Sequence, residues 1–243
     1  MLTSVAARAR AIAPRVVASP WPGHEYARGF GAFAVPMAGG DVLCLRVLPE
    51  NTVAPYASVW HRAGTGAWTI YVNTDDPEAS CPKYYGPAAR ALEPAAIELR
   101  WPAANRLEVE VTGTTRDGSR RAGEPVLRWS MTIGDTALLR GMNAACAPLP
   151  RASWKPDPLV RARELVSERV LGMGAVTLRG ITPSGHLTTL CPVRIHLVTE
   201  SRAVLSGRDL GGAVRLPEAP TIGEIGLPAR PTFAFGEAYF RRR

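Results

Sequence analysis

The segment YASVWHRAGTGAWTIYVNT (residues 56–74) contains two runs rich in β-branched and aromatic residues, 56–62 and 67–74, separated by the short link AGTG. Valine, isoleucine, threonine, tyrosine and tryptophan favour extended strands, and a glycine-containing link of this length favours a tight reversal of the chain. The segment therefore predicts a β-hairpin, and the rest of the chain can be compared with it.

Strand-like segments recur on both sides of this hairpin. They lie at 28–37, 42–48, 96–101, 106–113, 125–134, 175–181, 187–200 (split at Pro192), 202–207 and 232–240. The segments AIELRW (96–101) and RLEVEVTG (106–113) alternate apolar and polar residues, so each should bury one face. Many short strands in succession favour a curved sheet or β-barrel over alternating β–α–β units.

Helical patterns are concentrated in a helical insertion around residues 135–172. Residues 135–147 predict a short helix, and 157–172 predict a longer one with Asp157 as its N-cap and Pro158 as its first residue. The side chains of this longer helix that share one face by helical spacing are Leu159, Arg163, Val166 and Val170. We therefore expect a mainly β fold with one helical interruption.

One β-rich unit with a short leading segment is the simplest organisation. The chain has 243 residues, 46% of them hydrophobic, which suffices for a core with an enclosed pocket. Residues 1–18 predict an N-terminal arm or helix, and 19–243 predict a single domain. Because Arg8, Arg10 and Arg15 interrupt the first apolar stretch, we expect no secretory signal, no membrane partner and a cytoplasmic location.

Charge, cysteines and histidines exclude several classes of function. The net charge of +8 comes mostly from dispersed arginines rather than a basic patch with aromatics, so we expect no nucleic-acid partner. The four widely spaced cysteines predict free buried thiols. His186 and His196 would lie about 33 Å apart on an unbroken strand, so we expect no metal. No complete glycine-rich phosphate loop is present, so we expect no cofactor.

The sequence SCPKYYGP (residues 80–87) contains Lys83, one of only two lysines in an arginine-rich chain. Arginine stays charged, whereas a desolvated lysine can lose its proton and form a Schiff base with a ketone. The uncharged neighbours of Lys83 could form an apolar wall around the amine. Lys155, the other lysine, lies in a proline-rich loop without such a wall, and an exposed loop position for Lys83 stays open as the alternative.

Three stretches in a common order resemble the acetoacetate decarboxylase superfamily. They are ASPWPGHEYARGF (18–30), SCPKYYGP (80–87) and the segment 202–240, with its two Leu-Pro steps and aromatic end. In that family a Pro-Lys pair followed by glycine carries the catalytic lysine. The resemblance implies a double-barrel β fold and covers both ends and one internal stretch, while residues 101–175 are unmatched.

The resemblance also implies a reaction type. In that family a lysine forms a Schiff base with a β-keto acid, and other members use the same imine for aldol, dehydration or cyclisation chemistry. Tyr84 stands where the decarboxylases carry a second lysine. We therefore expect a lyase acting on a keto acid or polyketide-like keto compound, with Lys83 and Tyr84 as catalytic residues. The residues expected to bind this small-molecule substrate are Arg28, His61, Trp68, Tyr71 and Tyr85.

A non-covalent pocket protein is the alternative. A lipocalin-like β-barrel lined by Trp60, Trp68, Trp129 and Tyr71 could bind an apolar ligand as a carrier or a pocket cyclase. Histidines in aromatic-rich strands are more often packed than catalytic, so His61 fits either reading. A homo-oligomer is compatible with both. The direction in which the amine of Lys83 points distinguishes the two hypotheses.

Overall fold

A mainly β fold is confirmed. The computed structural model describes residues 4–74, 76, 79–114 and 124–243. Strands account for 49% and helices for 18% of the chain. The sequence RDGS (116–119) favours a turn before the strand segment 125–134, and these four residues lie outside the described part of the chain.

The described residues contain fourteen strands. The first seven are β1 (Arg15–Val16), β2 (Glu25–Pro36), β3 (Val42–Asn51), β4 (Tyr56–Arg62), β5 (Trp68–Val72), β6 (Ala89–Ala103) and β7 (Arg106–Gly113). The others are β8 (Leu127–Gly134), β9 (Arg179–Ile181), β10 (Leu187–Leu205), β11 (Arg208–Gly212), β12 (Thr221–Ile222), β13 (Ile225–Gly226) and β14 (Thr232–Arg241). Twelve of them form one large curved sheet, while β12 and β13 pair separately.

Helices are short in the described part of the chain. They are α1 (Val5–Arg10), α2 (Pro82–Tyr85), α3 (Ala137–Cys146) and α4 (Asp157–Arg169), with 3-10 turns at Gly86–Ala88 and Arg151–Trp154. Within residues 1–18, α1 is followed by β1, which pairs in parallel with β3. No helix among the described residues combines the length and the apolar character needed to cross a membrane.

Nine strands of the curved sheet form a ring of hydrogen bonds. Their order is β3–β2–β14–β10–β8–β7–β6–β5–β4, and β4 pairs with β3 to complete the ring. The β5–β6 pair is parallel, and the other neighbours in the ring are antiparallel. Antiparallel strands need only tight connections, but a parallel pair needs a crossover. This crossover, residues 73–88, contains α2 and therefore Lys83.

The predicted hairpin is confirmed. Strands β4 and β5 are antiparallel neighbours, and the backbone N–H of Ala63 donates to the carbonyl of Ala67 across the turn. The predicted break at Pro192 is wrong, because β10 continues through it with only a register shift against β14 between Pro192 and Arg194. A proline lacks one ladder hydrogen bond, and a bulge accommodates that loss without ending the strand.

Two glycines allow β2 to approach β3 closely. A Cβ at Gly29 would lie 1.9 Å from the carbonyl oxygen of Val47, and one at Gly31 would lie 1.9 Å from that of Leu45. Both distances are far below van der Waals contact, so only glycine fits. The register between β2 and β3 shifts twice in this region, as is common where a glycine marks a β-bulge.

The ring separates two hydrophobic clusters. The inner core, on the face shared by all nine ring strands, includes Phe30, Leu43, Val59, Tyr71, Ala95, Leu107, Trp129, Ala203 and Phe233. The outer core, on the opposite face of β2–β5 and β14, includes Ala34, Cys44, Trp60, Ile70, Tyr85, Ile225 and Phe240. Leu43 and Cys44 are neighbours on β3 with opposite directions, as expected of a strand buried on both faces.

The predicted alternation of β6 and β7 is confirmed. In β7, Leu107, Val109 and Val111 are buried in the inner core, whereas Glu108 and Glu110 remain partly exposed on the other face. The outer face of this half of the sheet therefore has a charged surface. The outer core covers only the other half, and the candidate sites lie there.

The prediction for the longer helix is wrong in its face and its cap. Leu159, Val166 and Val170 are exposed, whereas Val160 and Ser167 are buried. These last two residues are seven apart, or about two helical turns, so they form the buried stripe. Val160 packs against Leu178 and Leu190 on one side of the helix only. Asp157 is the first helical residue, and Pro156 occupies the cap position.

Candidate functional site

The short helix α2 sends neighbouring side chains to different places. Pro82 occupies its first turn, where the missing N–H leaves no hydrogen bond unmade. The backbone N–H groups of Tyr84 and Tyr85 both donate to the carbonyl of Cys81. Cys81 and Tyr85 are four residues apart and share one side of the turn, while Lys83 lies on another. The turn therefore separates Tyr85 from the lysine.

Lys83 and Tyr84 meet on Glu25, at the start of β2. Lys83 Nζ donates to Glu25 Oε1 at 2.7 Å, and the Tyr84 hydroxyl donates to Glu25 Oε2. Burial alone would raise the pKa of Glu25, but hydrogen bonds from Lys83 and Tyr84 hold it below its usual value. The Tyr84 ring stacks on Phe240 at a centroid distance of 3.8 Å and meets His186 edge-on. We call Lys83, Tyr84, Glu25 and His186 the lysine cluster.

The lysine cluster opens on an exterior groove. The Lys83 side chain is 18% exposed, so the amine is partly covered but still reaches solvent. The groove is lined by Pro82, Lys83, Gly86, Pro87, Leu92, Ser184, Gly185, His186, Arg242 and Arg243. The groove wall is mixed, with Ser184, His186 and two arginines beside apolar residues, so the amine lies at a partly exposed surface and not in the apolar enclosure expected from the sequence.

A separate cavity lies between the sheet and the segments that cover the outer core. Strands β2, β3, β10 and β14 form one wall, and α2, α4 and residues 173–178 and 226–228 contribute to the others. It measures about 80 Å³ as the space open to the centre of a water-sized sphere. One water needs about 10–15 Å³ on this measure, so the cavity has room for several water-sized groups. Its largest apolar side chains include Phe33, Leu48, Met173, Leu190, Leu227 and Phe240.

Arg46 and Tyr85 give this cavity a polar corner. Arg46, on β3, is 6% exposed, and its guanidinium lies 4.0 Å from the centre of the Trp60 ring. Arg46 Nε and Nη2, the Tyr85 hydroxyl and the Thr188 hydroxyl are buried without a well-formed hydrogen bond to the described residues. Burial raises the pKa of Tyr85, and Arg46 and Thr188 oppose this by lesser amounts. We call Arg46 and Tyr85, which line the cavity, together with Thr188, which lies beside Tyr85 behind the cavity wall, the polar corner.

Glu237 is a second charged residue of the cavity wall, and its charge is already matched. Its Oε1 accepts hydrogen bonds from Arg151 and Tyr26, with Arg151 Nη2 at 2.7 Å, and its Oε2 accepts one from Tyr239 at 2.7 Å. Burial, reinforced by this carboxylate, raises the pKa of Tyr239. Burial likewise raises the pKa of Cys191, which also lines the cavity, so that residue is a thiol rather than a thiolate.

Three residues expected to bind substrate lie outside the cavity wall. Arg28 donates to Glu50 at 3.3 Å and is thus occupied by a neighbouring carboxylate. Tyr71 is half-buried against the inner core. Trp68 is buried in the outer core, where its Nε1 donates to the backbone carbonyl of Thr221 at 3.1 Å. Of the expected binding residues, Tyr85 lines the cavity.

His61 belongs to a polar cluster of its own. Its Nε2 lies 2.6 Å from Asp41 Oδ1, and the same carboxylate accepts two hydrogen bonds from Arg208. Burial alone would raise the pKa of Asp41, but the hydrogen bonds from Arg208 and His61 lower it. His61 lines neither the cavity nor the exterior groove. It is therefore a packed histidine of β4, and Asp41, just before β3, connects it to Arg208 of β11.

The tryptophans expected to line one barrel interior are divided between two faces. Trp60 and Trp68 meet edge-on in the outer core. Trp129 belongs to the inner core with Tyr71, and its Nε1 donates to Ser201 at 2.7 Å. The expectation of one shared lining is wrong, because successive residues of a strand point to opposite faces and these residues fall on both.

No role was expected for Arg46, Glu25 or Glu237. A signal for Arg46 was present, because it interrupts the otherwise apolar run VLCLRVL (42–48). In a strand buried on both faces, a charged residue must lie within a core, where charges need a partner. Lys83, which pairs with Glu25, and Arg151, which pairs with Glu237, are distant from these carboxylates in sequence, and no local pattern indicates the two ion pairs.

Comparisons with protein-family models, curated proteins and solved structures find no match to this chain. No family is therefore assigned, and function has to be argued from the geometry. Among the described residues, no group of three or more histidine, cysteine, aspartate or glutamate side chains is arranged to hold a metal ion.

Proposed function

We propose that this protein binds a small, largely apolar molecule in the outer-core cavity. The observation that carries the proposal is the cavity itself, an apolar-walled space with a few convergent polar groups. Such a composition is typical of small-molecule sites, where apolar contact gives affinity and a few polar groups fix orientation. The protein then acts as a carrier or as a pocket cyclase that holds its substrate without a covalent bond.

An acetoacetate decarboxylase-like double barrel is the finer architecture that we propose. The ordered stretches 18–30, 80–87 and 202–240 support it, since they supply β2, α2 and β14, which meet around Glu25 and Phe240. Segments that resemble one family at separate points of the sequence thus converge in space.

The cavity proposal is tested by filling the cavity. Ala238 lies in its wall, and Ala238→Leu adds three carbon atoms there. Ala96→Leu, at a half-buried position on the charged outer face of β6, is the matched control. We expect calorimetric titration to detect binding of the neutral probe hexanamide to the wild type and to Ala96→Leu, and at least about tenfold weaker binding to Ala238→Leu. Equal binding by all three proteins, or none by the wild type, would contradict the proposal.

Imine chemistry at Lys83 is a second candidate function, because one specific contact favours it. Glu25 receives both the amine of Lys83 and the hydroxyl of Tyr84, which places an acid–base pair beside a primary amine. The proposed activity is that of a lyase on a keto acid or polyketide-like keto compound. Access from the exterior groove, rather than the cavity, would bring the substrate to this amine.

The proposed reaction uses the lysine amine itself as the electron-accepting group once the imine has formed. The amine lone pair of Lys83 attacks the ketone carbon, and the carbonyl oxygen leaves as water to give an iminium. In a β-keto acid the bond to the carboxyl carbon then breaks, its electron pair moves toward the iminium nitrogen, and carbon dioxide leaves. Tyr84 and Glu25 are placed to supply and accept the protons. Protonation at carbon and hydrolysis release the ketone and the amine.

Borohydride trapping tests this second candidate. With acetoacetate present, we expect reduction to fix an adduct on the peptide that contains Lys83, located by mass spectrometry. The adduct should be lost in Lys83→Arg and kept in Lys155→Arg, the other lysine of the chain. Glu25→Gln should lower the yield, because it removes the carboxylate that is placed to transfer protons beside the amine. Trapping that persists in Lys83→Arg would rule out Lys83 as the imine-forming residue, and no trapping in the wild type would rule out imine formation with this keto acid.

A further inference from the structure

Arg46 occupies an environment that is unusual for a charged side chain. It lies in the middle of β3, is 6% exposed, and lines the outer-core cavity. Its guanidinium lies near three aromatic rings, at 4.0 Å from Trp60, 5.2 Å from Tyr85 and 5.5 Å from Phe33. Aromatic faces attract a cation, but they cannot accept the directional N–H bonds of the guanidinium edge.

The free edge of Arg46 has the geometry that binds a carboxylate. Nε and Nη2 are both buried and both lack a hydrogen-bond partner among the described residues. These two nitrogens form one side of the planar guanidinium, and their parallel N–H bonds match the two oxygens of a carboxylate. No aspartate or glutamate among the described residues forms an ion pair with Arg46.

Two hydroxyls extend this edge. Tyr85 and Thr188 are each 1% exposed, and neither hydroxyl has a well-formed hydrogen bond. Both Arg46 and Thr188 lie near enough to the Tyr85 hydroxyl to lower its pKa, against the larger effect of burial. Four donor groups from three residues thus lie together beside the cavity, whose wall includes Arg46 and Tyr85. Buried donors without acceptors are costly, and each is normally satisfied in the functional state of a protein.

We propose that the polar corner binds the carboxylate of an amphipathic monocarboxylate whose apolar body fills the outer-core cavity. This rests on the cavity being the ligand site proposed above, and it adds the chemical class of the ligand. Arg46 and Glu237 are the two oppositely charged side chains of the described cavity wall, and Glu237 is already neutralised by Arg151. One unmatched positive charge fits one carboxylate, whereas a phosphate dianion would require more.

The test compares hexanoate with hexanamide, which has the same shape but no charge. By calorimetric titration we expect the wild type to bind hexanoate at least about tenfold more tightly than hexanamide, as charge-assisted hydrogen bonds predict. Arg46→Met should abolish this preference. Arg28→Met is the matched control, since Arg28 lies on the neighbouring strand β2 and pairs with Glu50, and it should keep the preference.

The outcomes separate the two proposals. Equal affinities of the wild type for both probes, or a preference that survives Arg46→Met, would overturn the carboxylate assignment and leave the cavity proposal intact. Binding of neither probe would overturn both. Tyr85→Phe protects the test against misfolding of Arg46→Met, because it removes one oxygen without changing shape. We expect it to weaken hexanoate binding several-fold and to leave hexanamide binding unchanged, and the opposite pattern would also overturn the assignment.

Discussion

The two faces of strands β2 to β4 differ in how completely they are packed. On the inner face, apolar side chains from all nine ring strands meet in one cluster, and the buried His196 lies at its margin. On the outer face, the same strands carry a cluster of comparable aromatic content, but it encloses a cavity and a buried arginine. The inner face therefore provides stability, and the outer face gives up part of its packing for space and polarity.

Truncation of one leucine on each face should give the largest difference. Leu107 is fully buried in the inner core, and Leu227, 1% exposed, lines the cavity. We expect Leu107→Ala to lower the free energy of unfolding by about 2–5 kcal/mol, with Leu227→Ala near the low end of that range because its side chain already lacks neighbours on one side. Denaturant unfolding measures both, and a larger loss for Leu227→Ala would reverse the comparison.

Removal of the buried charge should have a smaller effect of opposite sign. Because Arg46 is buried without a partner, Arg46→Met removes the cost of desolvating the guanidinium and keeps an unbranched apolar chain. The cation–π contact with Trp60 is lost, so we expect a net gain of about 1 kcal/mol in the free energy of unfolding of the ligand-free protein. Thermal unfolding without ligand checks this, and a clear loss of stability would indicate a structural role for Arg46.

The smallest expected effects are on the pH dependence of the free energy of unfolding, to which each face contributes in a different pH range. His196 lies beside Phe233 and Phe235 of the inner core, and burial lowers its pKa from 6.5 despite Asp135. The unfolded chain thus binds the proton more readily, so this contribution to stability is lost as pH falls below about 6.5. Glu25, whose pKa is lowered from 4.5, contributes above that value and loses its contribution as pH falls further.

Single substitutions assign each part of this pH profile. His196→Gln should flatten the upper part and leave the lower part, and Glu25→Gln should do the reverse. Unfolding midpoints measured between pH 7 and pH 3.5 provide the readout. If both variants change the same part of the profile, the two faces do not titrate separately.

The sequence predicted local features of the fold well. The β4–β5 hairpin is determined by a short turn between two aromatic strands, and the alternation of β7 reflects its single buried face. The hydrophobic pattern predicted the wrong buried face where neighbouring elements decide which side chains are covered. Leu159 and Val166 of α4 are apolar and at helical spacing, yet they are exposed. The neighbouring elements pack against the other side of the helix, where Val160 is buried.

The candidate sites were less predictable than the fold. The rarity of Lys83 made residues 80–87 a candidate site, but the direction of its side chain depends on Glu25, which is distant in sequence. Tyr85 lies two residues after Lys83 in α2, which is roughly half a helical turn. Its side chain therefore points away from Lys83 and lines the cavity. Arg46 was overlooked because its importance lies in hydrogen bonds that it does not make, and a sequence contains no direct record of those.

The pairing of β2 with β14 has a consequence for how the chain folds during synthesis. Glu25 of β2 pairs with Phe240 of β14. Strand β2 can therefore pair with β14 only after nearly the whole described chain has been synthesised. Until then one edge of a strand buried on both faces lacks its partner, and such edges promote aggregation. Contacts so distant in sequence also slow folding. The cavity wall, which needs both strands, is therefore among the last parts of the molecule to form, and a nascent chain has no ligand site.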